Sequence, residues 1–174
     1  DTGSRGLGDV YKRQANNPFA VFRDPLTLEE VMESKHFIGP LTRFQCCPPT
    51  CGAAAAVVCS EDFARKQNIH HGVKILAQSM TTDFSSTFED HSMSKVVGYD
   101  MAKAAAQEVY EKSGVGPEDV RVVELHDCFT ANELITYESL GLTGEGTAEK
   151  FIEDGDNTYC LLYTSPSPRD PVSS

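Results

Sequence analysis

The chain has no long apolar run, no excess of positive charge and no paired C-x2-C cysteines. Without a stretch of about 20 apolar residues it offers no membrane-spanning helix, and no segment has the layout of a secretory signal. With 26 acidic against 15 basic residues, the formal net charge is -11 over 174 residues. That balance argues against non-specific attraction to nucleic acid or anionic membranes, although a few Lys and Arg could still converge on a phosphorylated ligand. Cys46, Cys47, Cys51 and Cys59 crowd one stretch, but their spacing is not that of a zinc site. Nor is this a short cysteine-dense chain of the disulfide-framework type, so reduced thiols and no metal are expected.

The two ends read as foreign. Ser4–Gln14 is SRGLGDVYKRQ and Cys160–Arg169 is CLLYTSPSPR. One oligonucleotide, read on opposite strands, encodes both, and it resembles a transposase-type sequencing adapter. Residues 1–14 and 160–174 are therefore expected to be non-native, which leaves about 15–159 for fold and function.

Within that segment, Thr27 and Glu30 have capping-box spacing, which predicts a short helix with Leu28, Val31 and Met32 on one side. The run Gly52–Cys59 is small, apolar and bounded by turns, and reads as a doubly buried strand despite the helical propensity of alanine. Ser60 is placed to cap a helix over 61–67, whose Glu61 and Asp62 suit its positive end. A second strand is expected over 73–77, and a long polar excursion over 79–97. Met101, Ala104, Ala105, Val109 and Lys112 trace a helix, with Gly114 where a left-handed C-cap belongs. A turn at 116–119 leads to a β-branched strand over 120–125, and a final helix spans 131–140. This alternation predicts an α/β domain with helices packed on a mixed or parallel sheet.

The junction Glu124-Leu125-His126-Asp127-Cys128-Phe129 is the most informative place. Ligands of open α/β sheets bind beyond the carboxyl ends of strands, and the N–H groups of a following helix favour developing negative charge. Locally, His126 and Cys128 can be read as a base and a thiol nucleophile, or as a polar junction residue and a buried filler. His91 lies in the polar excursion that could approach a substrate entrance, while His36 and the His70-His71 pair read as exposed.

Three strings carry a resemblance. QCCPPTCGAAAAVVCSEDFARK resembles the thiolase segment that ends in D-G-A-A-A before a strand and helix. KILAQSMTTD is similar to the next thiolase strand. VVELHDCFTANELITYESLGL resembles the block holding the thiolase N-E-A-F motif, in the H-D-C-F form of sterol-carrier-protein-type thiolases. The resemblance covers nearly all of 15–159, with 15–51 falling at the end of the N-terminal half or its loop region. Residues 52–159 then open the C-terminal half, giving a partial thiolase-like fold.

What the resemblance implies is a CoA-dependent acyltransferase that cleaves 3-oxoacyl-CoA, with coenzyme A as co-substrate and no bound cofactor. Position for position, His126 takes the place of the motif residue that serves an oxyanion hole. Phe129 matches the aromatic residue lining the acyl-pantetheine channel. Cys128 matches a small residue, which favours packing, and His91 joins them as a substrate-binding expectation. Two departures stand out: Cys51 replaces the family's Asp, and neither the nucleophilic cysteine, the G-H-P histidine nor the C-x-G cysteine is present. The segment alone is therefore expected to be inactive. The resemblance further implies a homodimer or tetramer in a peroxisomal, otherwise cytoplasmic, setting. A biosynthetic condensing relative and a non-catalytic lipid- or CoA-binding protein are the alternatives.

Overall fold

The computed structural model describes residues 18–19, 23–70 and 72–157. The ends read as adapter-derived, 1–14 and 160–174, lie outside the described residues, as does His71.

The capping box forms as the spacing requires. The Glu30 amide donates to Thr27 Oγ1 at 3.1 Å, and the Thr27 amide donates to Glu30 Oε2 at 2.7 Å. Both orphan donors at the start of α1 (Leu28–Met32) are thus satisfied. Val31 is fully buried at the centre of this helix. Its carbonyl receives the Thr42 hydroxyl at 2.8 Å, which ties α1 to a short antiparallel hairpin, β1 (His36–Ile38) and β2 (Leu41–Thr42). A 3-10 turn, Arg43–Gln45, follows directly, and the Gln45 side chain accepts from the Thr42 amide at 2.7 Å.

Ser60 caps α2 (Glu61–Lys66) through the Phe63 amide at 3.2 Å, with Glu61 and Asp62 in the first turn. The excursion over 79–97 is less irregular than its composition suggested. It contains two single-turn helices, α3 (Ser86–Glu89) and α4 (Met93–Val96). The longest element, α5 (Tyr99–Ser113), ends at Gly114 with φ of 70°, the left-handed cap that a side chain would oppose. After a 3-10 turn at Pro117–Asp119 the chain extends to α6 (Thr130–Ser139) and then α7 (Ala148–Glu153).

The main core lies where α5, α6 and α7 pack together, with Ala106, Tyr137, Ala148 and Ile152 buried. Tyr110 donates its hydroxyl to the Leu140 carbonyl at 2.7 Å, fixing the end of α6 against α5. Tyr137 meets Phe151 edge-on, with centroids 5.3 Å apart and planes at 63°, a favourable arrangement of aromatic quadrupoles.

The α/β character holds, but the sheet requires a correction. The described residues form one two-stranded antiparallel sheet, not the expected mixed one. Residues 52–59, 73–77 and 120–125 carry no ladder, and Val57 is 100% exposed. A strand draws its stability from a paired neighbour, and no described element pairs with these segments, although Val123 and Leu125 are half-buried.

Candidate functional site at the head of the sixth helix

Residues His126–Phe129 form the approach to α6, and their backbone is held from both sides. The side-chain amide of Asn132 reaches back to donate to the His126 carbonyl at 2.6 Å. The Asn132 and Glu133 amides donate to the Phe129 carbonyl at 2.9 and 3.3 Å, which starts the helix. From the other side, the Cys47 amide donates to the Cys128 carbonyl at 2.9 Å. Cys46 and Phe129 form an isolated antiparallel bridge, so the N-terminal hairpin region is stitched to this loop.

Phe129 occupies the N-cap position with extended backbone, φ -143° and ψ 153°. Its side chain has no acceptor for the helix amides, and it remains 42% exposed. With the carbonyls of His126, Cys128 and Phe129 all engaged, the backbone is fixed while the His126 side chain stays exposed. Cys128 is half-buried. Such an arrangement can present an imidazole N–H beside the positive end of a ten-residue helix, where an oxyanion would be stabilised.

Among the described residues no hydrogen bond joins His126 to Cys128, so they are not assembled as a base and its thiol. Burial, and secondarily the neighbouring Cys47, pushes the Cys46 thiol above its ordinary pKa, and Cys46 Sγ donates to the Thr42 carbonyl at 3.4 Å. That sulfur is therefore held as a thiol. His91 lies between α3 and α4, exposed, with a left-handed φ of 50°. No hydrogen bond or ion pair connects it with His126, Cys128 or Phe129 among the described residues. His36 and His70 are exposed, as their sequence context suggested. No group of three or more His, Cys, Asp or Glu side chains among the described residues could hold a metal ion.

Sequence reasoning passed over two features of this site. Asn132 acts as a clamp, and the clue was a short amide three positions into a helix that lacks a polar N-cap. Glu133 is 2% exposed, and one of its oxygens accepts from the Tyr137 hydroxyl one turn along α6. An (i, i+4) Glu–Tyr pair on the core face was the available signal. Asn157 donates to the same Tyr137 hydroxyl at 3.4 Å, extending the buried polar line towards the end of α7.

A family profile described as "Thiolase C-terminal domain-like" matches residues 83–159, which contain α6 and its approach. Sterol carrier protein 2 of Rattus norvegicus is 53% identical over 150 residues, covering 86% of this chain and 27% of that protein. Benzoylsuccinyl-CoA thiolase subunit BbsB of Thauera aromatica is 39% identical over 166 residues, 94% of this chain and 41% of that one. Acetyl-CoA acetyltransferase of Methanocaldococcus jannaschii is 34% identical over 149 residues, 83% of this chain and 36% of that one. The chain thus spans about a quarter of the length of the sterol carrier proteins it matches. The H-D-C-F block at the head of α6 lies within the matched region, and over residues 83–159 the chain is similar to the thiolase C-terminal domain.

Proposed function

We propose that the complete protein carrying this chain is a CoA-dependent acyltransferase that cleaves 3-oxoacyl-CoA with coenzyme A, shortening the acyl chain. One observation supports this above others: His126 is exposed on a loop whose carbonyls are fixed by Asn132 and Cys47. In thiolytic cleavage a cysteine, supplied by the remainder of the protein, attacks the 3-oxo carbonyl. The carbonyl oxygen gains negative charge as the tetrahedral species forms. His126 donates a hydrogen bond to an oxyanion of the reaction, directly or through a water. A preorganised donor of this kind is worth ~2.7–4 kcal/mol in other enzymes because it needs no reorganisation as charge develops.

Phe129 lines the acyl-pantetheine channel in this reading, and Cys128 fills space behind it. His91, which the structure does not join to the loop, is assigned to the substrate entrance. Coenzyme A is a co-substrate and no bound cofactor is required. The complete protein is a homodimer or tetramer, and its setting is peroxisomal. No helix among the described residues is long and apolar enough to cross a membrane.

A second reading follows from the names of the relatives. Sterol carrier protein 2 and non-specific lipid-transfer protein-like 2 of Caenorhabditis elegans, 36% identical over 151 residues, favour lipid or acyl-CoA binding. Incubating the full-length protein with a 3-oxoacyl-CoA and coenzyme A separates the two. Thiolysis yields acetyl-CoA and a shortened acyl-CoA, both measurable by chromatography. Tight acyl-CoA binding without either product would overturn the enzymatic reading and favour the carrier.

A further inference from the structure

The isolated antiparallel bridge between Cys46 and Phe129 brings the backbone of Cys47 beside that of Cys128. In an antiparallel pair one step forward on one strand is one step back on the other, and the Cys47 amide does donate to the Cys128 carbonyl, at 2.9 Å. A backbone hydrogen bond between two residues keeps their Cα atoms close, and a disulfide needs them roughly 4.4–6.8 Å apart. Both thiols are free in this structure, with Cys47 exposed and Cys128 half-buried.

We infer that Cys47 and Cys128 form a reversible redox-modification site, closed to a disulfide by a low-molecular-weight disulfide of the glutathione class. The other cysteines are less well placed. Cys46 is bridged to Phe129, and its thiol is engaged with the Thr42 carbonyl. Cys51 and Cys59 are exposed on the unpaired segment beyond, with no hydrogen bond to the loop among the described residues.

The chemistry balances in two exchanges. The Cys47 thiolate attacks one sulfur of the small disulfide, whose S–S bond breaks and releases one small thiol, protonated from solvent. The Cys128 thiolate then attacks the Cys47 sulfur of the mixed disulfide, forming the protein disulfide and releasing the second small thiol. Two protein thiols lose two electrons and two protons, and one small disulfide becomes two thiols. Exposed Cys47 is the entry point and half-buried Cys128 the resolving group, which suits their access.

The site shares its loop with His126, and its test therefore reads covalent structure, not turnover. Full-length protein is equilibrated with oxidised glutathione, alkylated without reduction, digested and mapped by tandem mass spectrometry. The expected product is a peptide pair joined through Cys47 and Cys128, lighter by two hydrogens and separated by dithiothreitol. Cys47→Ser, an exposed substitution, should abolish the link, while Cys46→Ser should retain it. A link to Cys128 that survives Cys47→Ser, a Cys46–Cys47 pair in its place, or a stable glutathione adduct that never closes would each overturn the assignment.

Discussion

The side-chain amide of Asn132 donates to the His126 carbonyl across 2.6 Å, so the helix that follows the loop also holds the loop in place. A net hydrogen bond contributes about 0.5–1.5 kcal/mol, and its loss is felt first as local opening. Asn132→Ala should therefore speed amide hydrogen exchange over 126–130 by about 3- to 10-fold while leaving α5 unchanged. Asn132→Asp should behave no better, because a carboxylate cannot donate to that carbonyl. Unchanged exchange in both variants would show that Asn132 does not restrain the loop.

The helices were legible in the sequence because their signals are local. Thr27 and Glu30 satisfy each other within one turn, Ser60 meets the amide three positions on, and Gly114 ends α5 in the conformation glycine favours. The strands were not legible in the same way. Val57, Val73 and Val122 have strand-like patterning, yet a ladder needs a neighbour, and none of the described elements pairs with them. The bridge from Cys46 to Phe129 joins segments far apart in the chain, where neither periodicity nor capping leaves a trace. At the proposed site, His126 and Phe129 were expected from the junction and its resemblance. The Asn132 clamp and the buried Glu133 emerged only once α6 had a defined core face.

Tyr137→Phe removes the hydroxyl that donates to buried Glu133 while keeping the ring against Phe151. Taking a donor from a buried carboxylate costs about 1–3 kcal/mol. Tyr137→Ala loses the ring packing as well and should cost more, about 3–5 kcal/mol. Denaturant unfolding of the domain containing α5, α6 and α7 checks both, and an unchanged stability in Tyr137→Phe would mean that the hydroxyl carries no energy of its own.

Glu108 ties α5 to the preceding segment. A hydrogen bond from Lys112, then one from the Ser79 hydroxyl, then the Lys112 charge hold its carboxyl below the ordinary value of 4.5. A depressed carboxylate stabilises the fold fully above its unfolded pKa and loses that contribution as pH falls through the lower folded value. Glu108→Gln should lower Tm at pH 7, and the gap from wild type should narrow towards pH 3. A gap that stays constant across this range would show that the charge of Glu108 is not coupled to folding.

His126 carries the central claim, and steady-state thiolysis by full-length His126→Ala tests it most directly. The expected result is a fall in turnover of about 10²–10³ with folding retained, as for loss of an oxyanion donor elsewhere. Turnover within a factor of a few of wild type would contradict the assignment.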